Sequence, residues 1–382
     1  MPRLSRRRFV TKSVLAGAIL NTSTREIEAV QVPSAKDAAQ APGGATQPTE
    51  KPVDLIRRMT SGFQLTQLVY IAAKLKIADH LANGPRTVTE LASATGSHAD
   101  SLYRILRALA SLGVFREEED RRFRLTPAAE ILRSGVPGSL RASAEARGED
   151  WMWRSWGALR ESVMTGKTGF DLVFGKNTFD WFAENPAAAR LFDDFQADGT
   201  ARSAAAVATA YDFSSARVVV DVGGGNGTLL SAILRRHAAP RGVLFDLPHV
   251  VEAAKPVVDA DISRRCEFVG GDFFKAVPEG GDVYVLKAIL HDWEESRAHA
   301  ILSSCHRVIA AAKARMLVVE DIVCGPNIPC NAKIADVNML ARTGGRNRTE
   351  REYRDLLSAG RFNTRRVISV NGSLAVIEAV PA

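Results

Sequence analysis

The stretch "VVVDVGGGNGTLL" at residues 218–230 decides the fold. Its β-branched start reads as a buried strand, and four glycines then crowd into positions 223–227. A backbone stripped of side chains at a strand end lets a ligand lie against it. Gly223, Gly225 and Gly227 give the spacing GxGxG. A dinucleotide loop is GxGxxG/A and wants a small residue where this chain has Thr228. A phosphate loop requires a following Gly-Lys-Ser/Thr, which is absent. Asp221 instead stands just before the loop. A carboxylate there repels phosphate and attracts a cationic ligand.

From this stretch to the C-terminal side, strands and helices alternate. The pattern predicts strands at 218–222, 243–246, 266–269, 282–288, 315–320, 365–370 and 374–380. Helices are expected near 227–237, 249–255, 294–310, 332–342 and 350–359. Such alternation implies a mainly parallel sheet covered on both faces. The Asn-Gly pair in "VNGSL" (370–374) predicts an antiparallel hairpin at its end.

On the N-terminal side the pattern changes. "FQLTQLVYIAAKLKIADHLA" (63–82) has helical spacing at Leu65, Leu68, Val69, Ala72 and Leu75. Thr87 and Glu90 form a capping-box pattern, and Gly96 ends the helix they start. A further helix over 99–112 lines up Leu102, Ile105, Leu106, Leu109 and Leu112, and "VFREEEDRRFRLT" reads as two strands around a charged turn. This is a winged-helix pattern. Its exposed helix offers only Arg104, Arg107 and Asp100 to a groove, too few cations for nucleic acid, so packing or dimerisation is the expected role. The division expected is a tail at 1–52, a winged-helix domain at 53–140, a helical connector at 141–210 and an α/β domain at 211–382.

Composition agrees with a globular protein: 46% of the 382 residues are hydrophobic and 24% charged. The net charge is +7, of which residues 1–52 carry +4 (eight Lys/Arg against four Asp/Glu). The rest is close to neutral, which argues against a nucleic-acid or anionic-membrane partner. Cys266, Cys305, Cys324 and Cys330 include no CxxC pair and no metal-ligand spacing, the pattern of a reduced, cytoplasmic protein. The alternative is export, because "SRRRFVTK" (5–12) before "SVLAGAIL" resembles a twin-arginine signal. In that compartment Cys324 and Cys330 are placed to close a small loop.

The predicted strand ends supply the chemistry. Asp246 ends the second strand, where an acid accepts the hydroxyls of a ribose, with Leu247 beside it. "VGGDFF" supplies Asp272 for an adenine amino group and Phe273 to stack on the base. "VLKAILHDWEES" supplies Lys287 and His291, and reads Asp292 as N-cap of the next helix with Glu295 completing a capping box. Glu320 ends the neighbouring strand, where it can orient the imidazole of His291 and leave the other nitrogen free as a base. Four of the five tryptophans fall between 141 and 210. Trp151 and Trp156, with Phe170, suggest an apolar wall for a flat ligand.

Together "VDVGGGNG", "FDLPHVV", "VGGDFF", "LKAILHDW", "VVE" and "GGRNRT" resemble the S-adenosylmethionine-dependent O-methyltransferases of the caffeic-acid and bacterial polyketide type. The likeness covers residues 60–380. It implies a Rossmann-like class I methyltransferase sheet, a homodimer formed through the winged helix, and a small hydroxylated acceptor. It assigns Gly223, Asp246, Asp272, Phe273 and Lys287 to the cofactor, His291 as base with Glu320 as partner, and Met339 to the acceptor. Asp221, Gly225 and Leu247 belong to the same cofactor crevice, and no metal is implied. One position departs: the family has "GGKERT" with a second catalytic carboxylate where this chain has Asn347. The expected consequence is a weaker base at His291. It leaves two alternatives, a non-methylating enzyme of this fold and a cofactor-sensing winged-helix regulator.

Overall fold

The structure, a computed structural model, describes residues 50–256 and 258–382. The export-like stretch and nearly all of the predicted tail therefore lie outside the described residues. Arg58–Ala382 form one compact unit.

The N-terminal elements follow the expected order. A helix spans Pro52–Lys74, then Lys76 takes a left-handed φ of 51° and a short helix Ile77–His80 follows. The single helix expected over 63–82 is thus broken after Lys74, which lets Ile77 and Leu81 turn into the core with Leu91 and Leu106. Strand β1 (Arg86–Thr87) leads into helix Val88–Thr95, whose capping box is formed by Thr87 and Glu90. Helix Ala99–Ser111 buries Leu102, Leu106 and Leu109. Leu112 is not part of that face: the helix stops at Ser111 and Leu112 is 55% exposed. Strands β2 (Phe115–Glu118) and β3 (Arg122–Leu125) form the wing, with the short β1 added on β3.

The main sheet contains β4 (Val218–Val222), β5 (Arg241–Asp246), β6 (Cys266–Gly270), β7 (Val283–Lys287), β8 (Arg315–Asp321), β9 (Phe362–Asn371) and β10 (Leu374–Pro381). Their order is β6-β5-β4-β7-β8-β10-β9. The first five pair in parallel, and β10 is antiparallel to both β8 and β9. Successive side chains alternate between two cores. Val220, Val222, Tyr284, Leu286, Met316 and Val318 pack on one face. Val219, Val283, Val285, Leu317 and Val319 pack on the other. Both faces are covered by helices, so every carboxyl end of the parallel strands opens at the same edge.

Two loops meet at that edge. After β7, Ala288 takes a φ of 54°, uncommon for a residue with a side chain, and the chain enters a tight turn at Leu290–Asp292. The segment 344–348 closes over this turn. Arg348 is buried, donates to Leu290 O at 3.3 Å, and pairs with Glu295 at 2.9 Å. Gly345 lies so near that a Cβ there would sit 2.0 Å from His291 O and 2.6 Å from Trp293 N. Both obstacles are backbone and cannot rotate away. Gly345→Ala is expected to lower stability by about 1–3 kcal/mol, read as a lower urea midpoint at unchanged slope.

Candidate active site

The glycine loop turns directly off β4. Gly223 has a φ of 71°, donates to Phe245 O at 2.8 Å, and leaves no room for a Cβ, which would meet Ile289 Cδ1 at 2.4 Å. Gly225 N–H donates to Asp246 Oδ2 at 2.8 Å and Leu247 N–H to Asp246 Oδ1 at 2.7 Å. The Asp246 carboxylate is thereby aimed across the loop, with lone pairs to spare on each oxygen. Gly271 N–H bonds Asp246 O, which brings the next segment alongside. There Asp272 Oδ1 accepts from Phe274 N–H at 2.9 Å, and Phe273 lies edge-on to Trp293.

Asp221 is buried beneath the loop and its Oδ2 has no hydrogen-bond partner among the described residues. Burial raises its pKa to about 7, with Asp246 adding to the shift and Lys287 opposing it. Lys287, the last residue of β7, has its pKa lowered by burial although Glu320, Asp221 and Asp321 pull it up. Its Nζ donates to Thr200 Oγ1 at 3.2 Å, from helix Pro186–Ala210. Thr200 carries no sequence signal of its own, since one polar residue in an alanine-rich helix looks like solvent surface. An orphaned buried carboxyl oxygen and a side-chain-free loop fit a cationic sulfonium nucleoside and do not fit a pyrophosphate.

The parallel register sets the next group. Lys287 lies opposite Val319 in the β7–β8 ladder, so Glu320 comes one residue beyond, level with the turn that carries His291. Glu320 is 1% exposed. Its Oε2 is 2.5 Å from His291 Nδ1 and its Oε1 accepts from His291 N–H at 3.3 Å. His291 Nε2 lies 3.7 Å from Asp292 Oδ1 and is otherwise open. Burial works against a charged imidazole. The Glu320 and Asp292 carboxylates and the Glu320 hydrogen bond outweigh it, with Lys287 opposing, and the pKa of His291 rises to about 9.

Two expectations are corrected here. Asp292 is not a helix cap: the next helix begins at Glu295, and the buried Asp292 carboxyl lies against His291 Nε2, 3.7 Å away. Asn347 is not brought to His291: its Nδ2 donates to Asp321 O at 3.3 Å, its N–H to Asp336, and its Oδ1 is buried without a partner. The Glu320 and Asp292 carboxylates hold the His291 pKa above that of free imidazole, at about 9. A second carboxylate does reach the ring, but from the adjacent residue rather than from position 347. Within "GGRNRT", the Gly345 backbone and the Arg348 side chain touch the histidine turn.

Beside His291 stands an aromatic wall. Trp151, Phe170, Phe182 and Phe192 share one core, and Phe179 stacks on Trp293 with ring centroids 4.7 Å apart. Trp156 Nε1 donates to Asn338 Oδ1 at 3.0 Å, one residue before the buried Met339 on helix Asn331–Arg342. Trp151 is itself almost fully buried. The four cysteines are unpaired, although Cys324 N–H donates to Cys330 Sγ at 3.2 Å. Among the described residues no group of His, Cys, Asp and Glu is arranged to hold a metal. No helix among them is long and apolar enough to cross a membrane.

Comparison with known proteins agrees with this geometry. Residues 156–363 match an O-methyltransferase domain and residues 58–135 an O-methyltransferase dimerisation domain. The chain is 43% identical over 328 residues to the phenazine O-methyltransferase PhzM of Lysobacter antibioticus, covering 86% of this chain and 96% of that one. The solved structure of LaPhzM matches with a TM-score of 0.84 at 42% identity, over 86% and 99% of the two chains. The O-methyltransferase NcsB1, solved with S-adenosylmethionine and 2-hydroxy-5-methyl naphthoic acid, matches at 0.72 and 31% identity, over 83% and 96%. A phenazine-1-carboxylate N-methyltransferase of Pseudomonas aeruginosa is 30% identical, over 85% of this chain and 96% of that one. The chain therefore belongs to the S-adenosylmethionine-dependent O-methyltransferase family.

Proposed function

We propose that this enzyme methylates a hydroxyl of a small aromatic or polyketide-like acceptor, with His291 as general base. The observation that supports the reading is the hold on one ring: Nδ1 lies 2.5 Å from the buried Glu320 Oε2, and Nε2, 3.7 Å from Asp292 Oδ1, is the nitrogen that remains for an acceptor proton. When bound, S-adenosylmethionine supplies an electrophilic methyl group. Asp246 is placed for its ribose hydroxyls, Asp272 and Phe273 for its base, and the Gly223–Gly225 loop with Asp221, Leu247, Thr200 and Lys287 for the remainder. Glu320 fixes the histidine tautomer, so the acceptor proton goes to Nε2. The resulting imidazolium lies between two carboxylates, Glu320 and Asp292. Trp156 and Met339 line the acceptor side, and Trp151 backs it.

A phenol has a pKa of about 10, and a free imidazole about 6.5, so proton transfer between them costs roughly 5 kcal/mol. With His291 raised to about 9, the mismatch falls to about one unit, or ~1.4 kcal/mol. The gain has a cost at neutral pH, where most His291 rings are already protonated. N-methylation is the competing reading, supported by the 30% identical relative named for it. The mass and NMR spectrum of the product separate the two.

The dimerisation-domain match supports a homodimer built on the winged helix at 53–140, with 141–210 as connector and 211–382 as cofactor domain. Met59 and Phe63 of the first helix are 66% and 57% exposed, an apolar surface that a second copy would cover. The unpaired cysteines support a cytoplasmic enzyme.

Four outcomes test the assignment. His291→Gln is expected to lose about 10²–10⁴-fold in turnover while calorimetry shows unchanged cofactor affinity. Unchanged turnover removes His291 from its role. Asp246→Ala is expected to do the reverse, weakening cofactor binding by about 10–100-fold. For the wild type, kcat/KM is expected to climb with pH and level off near the His291 pKa of about 9, because only the deprotonated ring accepts a proton. Glu320→Gln removes the chief raising charge and should move that inflection down toward neutrality while lowering the plateau.

A further inference from the structure

Two cysteines stand together just beyond β8. The chain reads "IVCGPNIPC" over residues 322–330, so Cys324 and Cys330 bracket the loop between the strand of Glu320 and helix Asn331–Arg342. Spacing alone does not bring two such residues together. Here the Cys324 N–H donates to Cys330 Sγ at 3.2 Å, and both thiols reach one atom, Ile322 O, at 3.9 and 3.7 Å. Lys333 holds the loop in this shape: its Nζ donates to Gly325 O at 2.7 Å and to Ile328 O at 2.8 Å. Asn327 makes the bend with a left-handed φ of 60°. Both cysteines are half-buried, so small reagents can reach them, and neither is in a disulfide. They are not part of a metal-binding group among the described residues. The fold has placed two free thiols side by side.

The two thiols are not equivalent. Cys330 is the N-cap of a helix of twelve residues, and its sulfur faces the Ala332 and Lys333 amides without a full capping bond. Burial opposes its thiolate, but the Cys324 thiol and the amides of Cys324, Ala332 and Lys333 outweigh burial and lower its pKa. The pKa of Cys324 moves up, chiefly through its hydrogen bond to Cys330, with burial adding to the shift. The charged groups near the pair are Lys333, which opposes that rise, and Asp321, which adds to it. The other two cysteines are poor nucleophiles. Burial pushes Cys266 up to about 11 and the fully buried Cys305 up to about 12. Because the thiolate is the reacting form, the chain has one attacking sulfur with a second thiol beside it.

We propose that Cys330 and Cys324 form a peroxide-reactive pair that closes reversibly into a disulfide, with Cys330 attacking and Cys324 resolving. The Cys330 sulfur attacks one oxygen of hydrogen peroxide, the O–O bond breaks, and a sulfenic acid forms as the first water leaves. The Cys324 sulfur then gives up its proton and attacks the Cys330 sulfur. The S–S bond forms and the S–O bond breaks, releasing the second water. Two thiols are oxidised and one peroxide is reduced to two waters. A bridge of this kind in a reducing compartment is transient, which agrees with the two cysteines standing unpaired. It fastens the end of β8 to the first turn of the helix that carries Asn338 and Met339.

The test follows mass. The full-length protein is reduced, freed of reductant, treated with hydrogen peroxide, blocked with N-ethylmaleimide and digested with trypsin. Both cysteines fall on one tryptic peptide, residues 316–333. That peptide is expected to lose the mass of two hydrogens and to take up no maleimide, while the peptides of Cys266 and Cys305 stay fully labelled. Dithiothreitol given before the block should restore both labels. Cys324→Ser should leave a sulfenic acid at Cys330 that dimedone captures, and Cys330→Ser should leave Cys324 about 10-fold slower toward peroxide. Amide hydrogen exchange over residues 322–335 should slow in the oxidised protein and recover on reduction. A peptide 316–333 that stays labelled, oxidation that falls first on Cys266, or a bridge found only between two chains overturns the proposal. Equal capture by dimedone at Cys324 and Cys330 in the two variants overturns the division of roles. The wild-type mass readout needs neither variant and no methyl acceptor, so it decides the bridge even where a variant fails to fold or the assigned reaction proves wrong.

Discussion

The short bond between Glu320 and His291 Nδ1 organises the edge of the sheet where the parallel strands end. It joins the ends of two adjacent parallel strands, and its length depends on their register: a slip of one residue between β7 and β8 would send the Glu320 side chain to the opposite face of the sheet. The surrounding features serve that register. The left-handed Ala288 drops the chain off β7 at once, so the histidine stays over its neighbour's strand end. Arg348 and the bare backbone at Gly345 press on the far side of the turn. The histidine turn is confined from both directions.

The same edge concentrates charge where water is scarce. Asp221, Lys287, Glu320, His291, Asp292 and Arg342 each have a neighbour of opposite sign within electrostatic reach. Burial opposes the ionised forms of Asp221, Lys287, His291, Asp292 and Arg342, and the neighbours restore them to different degrees. Asp221 is left near half-protonation at neutral pH. A cation entering beneath the glycine loop would favour its ionised form, so loading the cofactor crevice and setting the field around Lys287 are linked events.

Much of this was legible in the sequence because a parallel sheet has a simple rule. Its strands announce themselves as β-branched runs, and the residue at each carboxyl end faces the ligand. Asp246 and Lys287 end β5 and β7, Glu320 is the penultimate residue of β8, and the seven strands fall within a few residues of the expected spans. The features that escaped depend on facts with no local signature. Asp292 looks like a helix cap because Glu295 stands at capping distance along the chain, yet the turn rolls it inward. Asn347 seems to replace a carboxylate, but the loop presents Arg348 to the histidine turn instead. Thr200 lies on a long helix where one polar residue among many is unremarkable, and only packing across the fold brings it to Lys287. Leu112 and the break at Lys76 are end effects, where the helical period ceases before the apolar residues do.

The placement of β10 has a consequence for how the protein is made. Of the seven strands it comes last along the chain, yet it lies inside the sheet, between β8 and β9. Until residues 374–381 leave the ribosome, β8 keeps one flank of unpaired amides and carbonyls, and β9 has no sheet neighbour at all. The strand bearing Glu320 therefore completes its pairing only after residues 374–379 have been made. A nascent chain stalled before that point would display a sticky open edge, the sort of surface that holding chaperones recognise and that crowded ribosomes promote into aggregates.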